Sequence, residues 1–380
     1  MSYQNVGVPR FYIDYLSYWK SIGLIDYIVV PSEAIALGAG EGMYTDKLIG
    51  LDPTNKFEID TSYLSEGSTI FEIVVVLNKM LKTEIFNAMD YPENKGYVGF
   101  LGHNFNQSLE NPYPTFEIHI GWAGGLLTTD GVDDYEILNF VDEGFVYAPN
   151  VGSSLCKVTH WDAQTDFMEV YLKIRAFDSS EGTVHANLLE GLYLNNLCLG
   201  HYYDMPVSPD LSLTMTTEFD GYDSITTLGG STLTNVRYTG NPKWGDNNAW
   251  EIGESDSNYK RNGRRSWSME FSYISDKDIF ASNYSSNTYL SASSTNTDYN
   301  TNNDLTSDGN SFEYNIANDD SFSARVLNFV GNGNRFIFQP NNESSNPSDF
   351  AICVLDQDSV EIEQVAPNVY SVSLSIREVW

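Results

Sequence analysis

The chain has 380 residues, 41% of them hydrophobic and 14% aromatic, enough to fill real cores and to exclude disorder from want of apolar side chains. With 52 acids against 20 bases its formal charge is -32, which argues against a duplex-binding surface, and its bases cluster only at Lys260-Arg261 and Arg264-Arg265. An acidic surface keeps a protein soluble and lets phosphate pass without sticking.

The opening segment, PRFYIDYLSYWKSIGL (9–24), has a short strand-like start and aromatics at near-helical spacing, with Tyr12, Tyr15, Leu16 and Trp19 able to share one face. Nothing before it has the charged-then-apolar layout of a signal peptide. GAGEG (38–42) lacks the strand-then-helix frame and the following Lys of a phosphate loop. The longest apolar run, Ile73 to Leu77, is too short to span a bilayer. A soluble protein made in a reducing cytoplasm is expected, with no membrane insertion.

From residue 57 the chain predicts short strands divided by turn signals: FEID, TIFEIVVVL, GYVGFLGHNF, TFEIHIGWAGG, YEILNFV, GFVYAP, SLCKVTHW, FMEVYLKIRAF and LLEGLYLNNLCLG. Met168, Val170, Leu172 and Ile174 alternate with Glu169, Tyr171, Lys173 and Arg175. Even spacing without long amphipathic helices points to a sandwich or jelly roll. Pro206 and Pro209, bracketing Val207-Ser208, read as a linker and a domain boundary.

The last portion opens with GRRSWSMEFSY (263–273), where Trp267, Met269, Phe271 and Tyr273 recur at every second position and predict a strand with one aromatic face. Residues 281–324 are nearly devoid of Leu, Ile and Val and cannot build a core of their own. The alternating stretch from Tyr370 to Ile376 predicts a closing strand held in a sheet.

Chemistry is sparsely signalled. His103, His119, His160, His185 and His201 show no paired metal-ligand spacing, and no Ser elbow is present. Cys156, Cys198 and Cys353 are too scattered for a disulfide framework or a zinc cluster and read as buried apolar residues. Asp133-Asp134 and Asp319-Asp320 lack the ordered spacing of a calcium loop, so neither metal nor cofactor is assigned. Twenty-five Tyr and seven Trp suit β-sheet surfaces and protein interfaces alike. Exposed aromatics also stack on sugar rings, and Trp122 and Trp161 are the candidates for glycan contact.

The third portion resembles the minor tail proteins at the tip of long-tailed bacteriophages, a group related in fold to distal tail proteins. The resemblance rests on Gly263-Arg264-Arg265-Ser266-Trp267, Ser275-Asp276-Lys277-Asp278, Gly333-Asn334-Arg335-Phe336-Ile337-Phe338-Gln339-Pro340 and Ile376-Arg377-Glu378-Val379-Trp380. Thr227-Leu228-Gly229-Gly230 and Pro242-Lys243-Trp244 extend it upstream. The middle portion resembles the discoidin-like jelly roll of some phage virion proteins, through Leu101-Gly102-His103-Asn104, Leu192 to Gly200, and Met205-Pro206. In the family the loop after the Ser-Asp step is short, whereas here it swells into 281–324.

The resemblance implies a mainly all-β chain with few short helices: an N-terminal segment (1–60) packing on the tail-type domain, a discoidin-like jelly roll (61–212), and a tail-type β-sandwich domain (213–380) interrupted at 281–324. It implies a non-enzymatic structural protein of a phage virion, at the tail tip or baseplate, forming rings or adaptors. Its partners would be copies of itself and other phage tail proteins, with 281–324 as an intersubunit arm and no direct nucleic-acid binding. The alternatives are a glycan-binding host-recognition module and a capsid-decorating protein.

Overall fold

The computed structural model describes residues 7–30, 43–52, 55–58, 70–81, 95–103, 114–123, 136–139, 153–158, 167–178, 193–219, 222–236, 243–244, 247–248, 263–280, 321–331, 333–344 and 349–379. These are mainly β, with few short helices.

In chain order the strands are β1 (Arg10–Asp14), β2 (Ile25–Val30), β3 (Met43–Tyr44), β4 (Phe57–Glu58), β5 (Ile70–Leu81), β6 (Gly96–Leu101), β7 (Pro114–Ala123) and β8 (Glu136–Asn139). Next come β9 (Ser153–Val158), β10 (Phe167–Asp178), β11 (Tyr193–Leu194), β12 (Asn196–Asp204), β13 (Thr214–Glu218), β14 (Tyr222–Thr226), β15 (Thr232–Val236), β16 (Lys243–Trp244) and β17 (Asn247–Asn248). The last five are β18 (Arg264–Ser275), β19 (Phe336–Gln339), β20 (Ala351–Leu355), β21 (Ile362–Ala366) and β22 (Val369–Glu378). The helices are α1 (Tyr15–Ser21), α2 (Asp276–Ile279) and α3 (Asn328–Val330), the last preceded by a π-helical turn, Ser323–Leu327.

A ten-stranded antiparallel sheet organises the molecule, in the order β13-β18-β22-β20-β19-β1-β12-β6-β9, with β21 also on β22. A six-stranded sheet follows the order β3-β2-β5-β10-β7-β8. The segments read from the sequence interleave within this arrangement. β1 comes from 1–60 and pairs with both β12 and β19, while the strands of 61–212 divide between the two sheets, apart from β11, which pairs with β4 of 1–60. The Pro206–Pro209 stretch therefore joins two strands of one sheet.

Alternation explains why the middle of the large sheet is buried on both faces. Phe11 and Ile13 point into one core with Phe336, Phe338, Tyr203 and Trp267, whereas Tyr12 points into the opposite core with Ile337, Tyr202 and Tyr97. A strand buried on both sides must be apolar at nearly every position, which is why FYI and FIF are unbroken runs. Ile73 to Leu77 does the same in the six-stranded sheet, where β5 lies between β2 and β10 and all five residues are buried.

The near-helical aromatic spacing at the start resolves into two elements. The helix begins at Tyr15, so Tyr15, Leu16 and Trp19 share its buried face, while Tyr12 belongs to β1. Asp14 starts the helix by accepting from Leu16 N (3.2 Å) and Ser17 N (3.1 Å), two of the amides a helix start leaves unpaired. Gly23, at φ +71°, lets the chain reverse after the helix and enter β2.

β18 corrects one expectation. Trp267, Met269 and Phe271 are buried as their alternation predicts, but Tyr273 is 78% exposed, and Ile274 takes the inward place. The reason is a bulge: Phe271 faces Val372 and Ile274 faces Tyr370, so Ser272 and Tyr273 together oppose Ser371. An added residue reverses the alternation beyond it.

The polar stretch 281–324 lies outside the described residues up to 320. Its last four residues are buried or nearly so, with Phe322 edge-on to Phe11 in the core.

Candidate assembly surface

The segments Gly263 to Trp267 and Ile376 to Val379 meet in three dimensions. The alternation that buries Trp267 also turns Arg265 inward, and the one that buries Ile376 turns Glu378 inward. The register of β18 on β22, Ser266 opposite Arg377, then sets the two side by side. Glu378 Oε2 accepts from the Arg265 backbone amide (3.0 Å) and from its Nε (3.2 Å), and Oε1 accepts from Nη2 (3.1 Å). Nη2 also donates to the Phe350 carbonyl (2.8 Å), and the guanidinium stands 5.1 Å from the Trp267 ring centroid. A carboxylate this buried is tolerated because its oxygens are taken up by charge-assisted hydrogen bonds. The Gln339-Pro340 end of the third motif segment is also embedded, Gln339 accepting from Tyr12 OH (2.8 Å) and donating to the Ser344 carbonyl (2.8 Å).

β18 and β22, so clasped, carry β13 at the end of the sheet. Gly263, with φ +83°, precedes β18, and a Cβ there would lie 2.7 Å from the Glu218 carbonyl oxygen. Only glycine allows β13 to close on β18 in this way. Arg377 reaches across to Glu218 (2.7 Å), a partly exposed pair of small energetic value. β13 itself, TMTTE, is largely exposed.

Beyond β13 the β14–β15 hairpin projects with its described side chains bare on both faces. Ile225 and Leu233 are cross-strand partners, and both are exposed, as are Tyr222, Phe219 and Leu211. Leu228 stands fully exposed at the tip, in a turn closed by hydrogen bonds between Thr227 and Ser231. A lone two-stranded ribbon is marginal in water, and bare apolar groups concentrated on one mark a contact surface. The sequence carries a signal for this hairpin beyond the resemblance, Gly229-Gly230 between two Thr/Ile/Leu runs.

A second exposed apolar site lies at the far end of β18. Tyr273 holds a φ of +65° in its bulge, and across β22 the largely exposed β21 strand has its own irregularity between Gln364 and Ala366, where Val365 is exposed. Both bulges flank the same stretch of β22, Val369 to Ser371.

The buried ionisable groups serve the fold. His201 accepts from Tyr15 OH at Nδ1 (2.7 Å), and its Nε2–H donates to the Arg325 carbonyl (2.9 Å), the tautomer a carbonyl partner requires. Burial and the Arg325 charge push its pKa well below the ordinary range, so the ring is neutral. His103 is driven down to about 3 by burial. Asp14 accepts from the Ser17 hydroxyl and from Leu199 N (3.1 Å) besides its helix-capping bonds, yet burial raises its carboxyl to about 6. Burial also raises the Cys198 thiol, which suits an inert core residue.

Trp122 lies on β7 opposite Val170, with its side chain outside the described residues; Trp161 is outside them altogether, as are Asp133, Asp134, Asp319 and Asp320. Among the described residues no group of three or more His, Cys, Asp or Glu is placed to hold a metal ion, and no helix is long and apolar enough to cross a membrane. Compared with known proteins, the chain matches no family model, no curated protein and no solved structure.

Proposed function

We propose that this chain is a non-catalytic structural protein of a bacteriophage virion, placed at the tail tip or baseplate, that works by joining neighbouring subunits. The observation that carries the assembly part of this reading is the β14–β15 hairpin, bare on both faces and bearing Ile225, Leu228 and Leu233. A solitary enzyme or carrier gains nothing from such an arm, whereas a subunit gains contact area from it. The virion part is supported by the sequence resemblance, of whose residues Trp267, Phe336, Phe338 and Ile376 share one core with the Arg265–Glu378 pair at its edge, while Ile337 faces the other core and Leu228 is exposed. The acidic surface fits a part that lies near DNA without holding it. Of the expected intersubunit arm 281–324, residues 321–324 pack in the chain's own fold, with Phe322 in its core, and only 281–320 is kept for contact with neighbours.

Purified phage particles probed with an antibody to this chain, followed by electron microscopy of the gold label, test the reading. Label at the tail tip supports it, label on the head moves the protein to capsid decoration, and absence from mature particles overturns it.

A further inference from the structure

The hairpin and the double bulge are distinct apolar exposures attached to the two ends of β18. Glu218 of β13 faces Arg264 at the start of the strand, and the chain leaves from there into the hairpin. Tyr273 lies nine residues further along β18, about 30 Å at the usual rise. Since hairpin and bulge are both bare, neither covers the other within one chain.

We propose that the hairpin of one copy docks on the double bulge of a second copy, Leu228 and the Ile225–Leu233 pair packing against Tyr273 and Val365. The inference rests on the assembly reading above and names the partner and the receiving surface. Three observations favour a second copy. The first is charge: the chain carries -32, yet Asp223 is the one charged residue of 222–236, so this arm can approach an acidic neighbour with little repulsion. The second is size. Residues 211–236, exposed through most of their described length, fall within the roughly 20–30 residues a side of a standard interface. The third is the receiving residue. Tyr is enriched at interfaces, and here it is held in a backbone conformation unfavourable to it, which its own chain repays with no burial.

Because the two surfaces differ, the contact is heterologous: each copy offers an arm at one end and a bulge at the other, and assembly runs head to tail.

Two variants of the full chain test this, an arm variant (I225D/L228D/L233D) and a bulge variant (Y273A/V365D), followed by sedimentation velocity. All five positions are exposed, so both variants should keep wild-type circular dichroism and melting. Wild type should form oligomers that grow with concentration, and each variant alone should stay monomeric. An equimolar mixture should give a dimer and nothing larger, because one intact arm then meets one intact bulge. As a check independent of those substitutions, a mixture of Leu228→Cys and Tyr273→Cys chains, with Cys156→Ser in both, should be joined by a short bismaleimide linker. A monomeric wild type, a variant that assembles like wild type, or a mixture that stays monomeric and uncrosslinked overturns the proposal. So does a bulge variant that dimerises, which would mean arm-to-arm contact, or Leu228-dependent flotation with phosphatidylcholine vesicles, which would mean a membrane. None of these results bears on whether the gold label finds the chain in particles, so the two readings fail separately.

Discussion

Arg265 and Glu378 are separated by 113 positions, yet they form a doubly bonded ion pair beneath the end of the sheet that carries the exposed hairpin. Glu378 is 2% exposed, so its charge has no recourse to water if the partner is lost. Arg265→Met should therefore cost about 3–5 kcal/mol, the usual penalty for stranding a buried charge, and should lower the urea midpoint accordingly. The double change R265M/E378L should cost much less, because it removes both charges. Equal destabilisation by the two would show that the pair's electrostatics are unimportant.

Gly263→Ala should loosen β13 selectively. The left-handed φ and the contact with the Glu218 carbonyl together should cost about 2 kcal/mol or more. Hydrogen exchange should quicken at the β13 amides while the β1 and β12 amides keep their protection. Unchanged exchange at Thr214 to Glu218 would refute the packing argument.

Tyr273→Gly should do the reverse of a normal core-strand change. Glycine adopts φ +65° freely, so relief of strain should offset its unfolded-state entropy and leave stability unchanged or up to about 1 kcal/mol higher. Assembly should nevertheless fall. A clear loss of thermal stability in this variant would mean that Tyr273 supports its own chain.

Acid should weaken the fold with a profile set by opposed groups. His103 and His201 are held below the ordinary 6.5, so the unfolded chain takes up protons that the folded one refuses. Their contribution is complete above pH 6.5 and is lost as pH falls through and below that value. Asp14 acts oppositely: its carboxyl rises from 3.8 to about 6 on burial, so the fold gains stability as pH falls between those values. Asp14→Asn removes this gain, and the decline of the denaturation midpoint from pH 6 to pH 4 should become steeper. His201→Gln should make it shallower. A shallower decline in the Asn variant would contradict the assigned shift.

Much of the fold was legible because strand formation is local. The alternation in FMEVYLKIRAF and in Tyr370 to Ile376, and the unbroken run at Ile73 to Leu77, named their strands without knowledge of any partner. Tyr273 shows where that reasoning stops. A bulge is written in the mismatch between two strands, Phe271 to Ile274 against Val372 to Tyr370, and neither strand alone reveals it. Trp122 and Trp161 illustrate a different limit, since stacking on a sugar depends on which face of a sheet is uncovered.

Pattern and composition by themselves determined that this protein is an acidic, β-rich chain with apolar cores, since side-chain period and turn residues act over a few positions. Which strands pair, and so where charges and bare surfaces end up, was decided only by the tertiary structure. Arg265 found Glu378 through a register between strands far apart in the chain. Ile225, Leu228 and Leu233 look like core residues in the sequence, and they are exposed because none of the described residues packs over their hairpin.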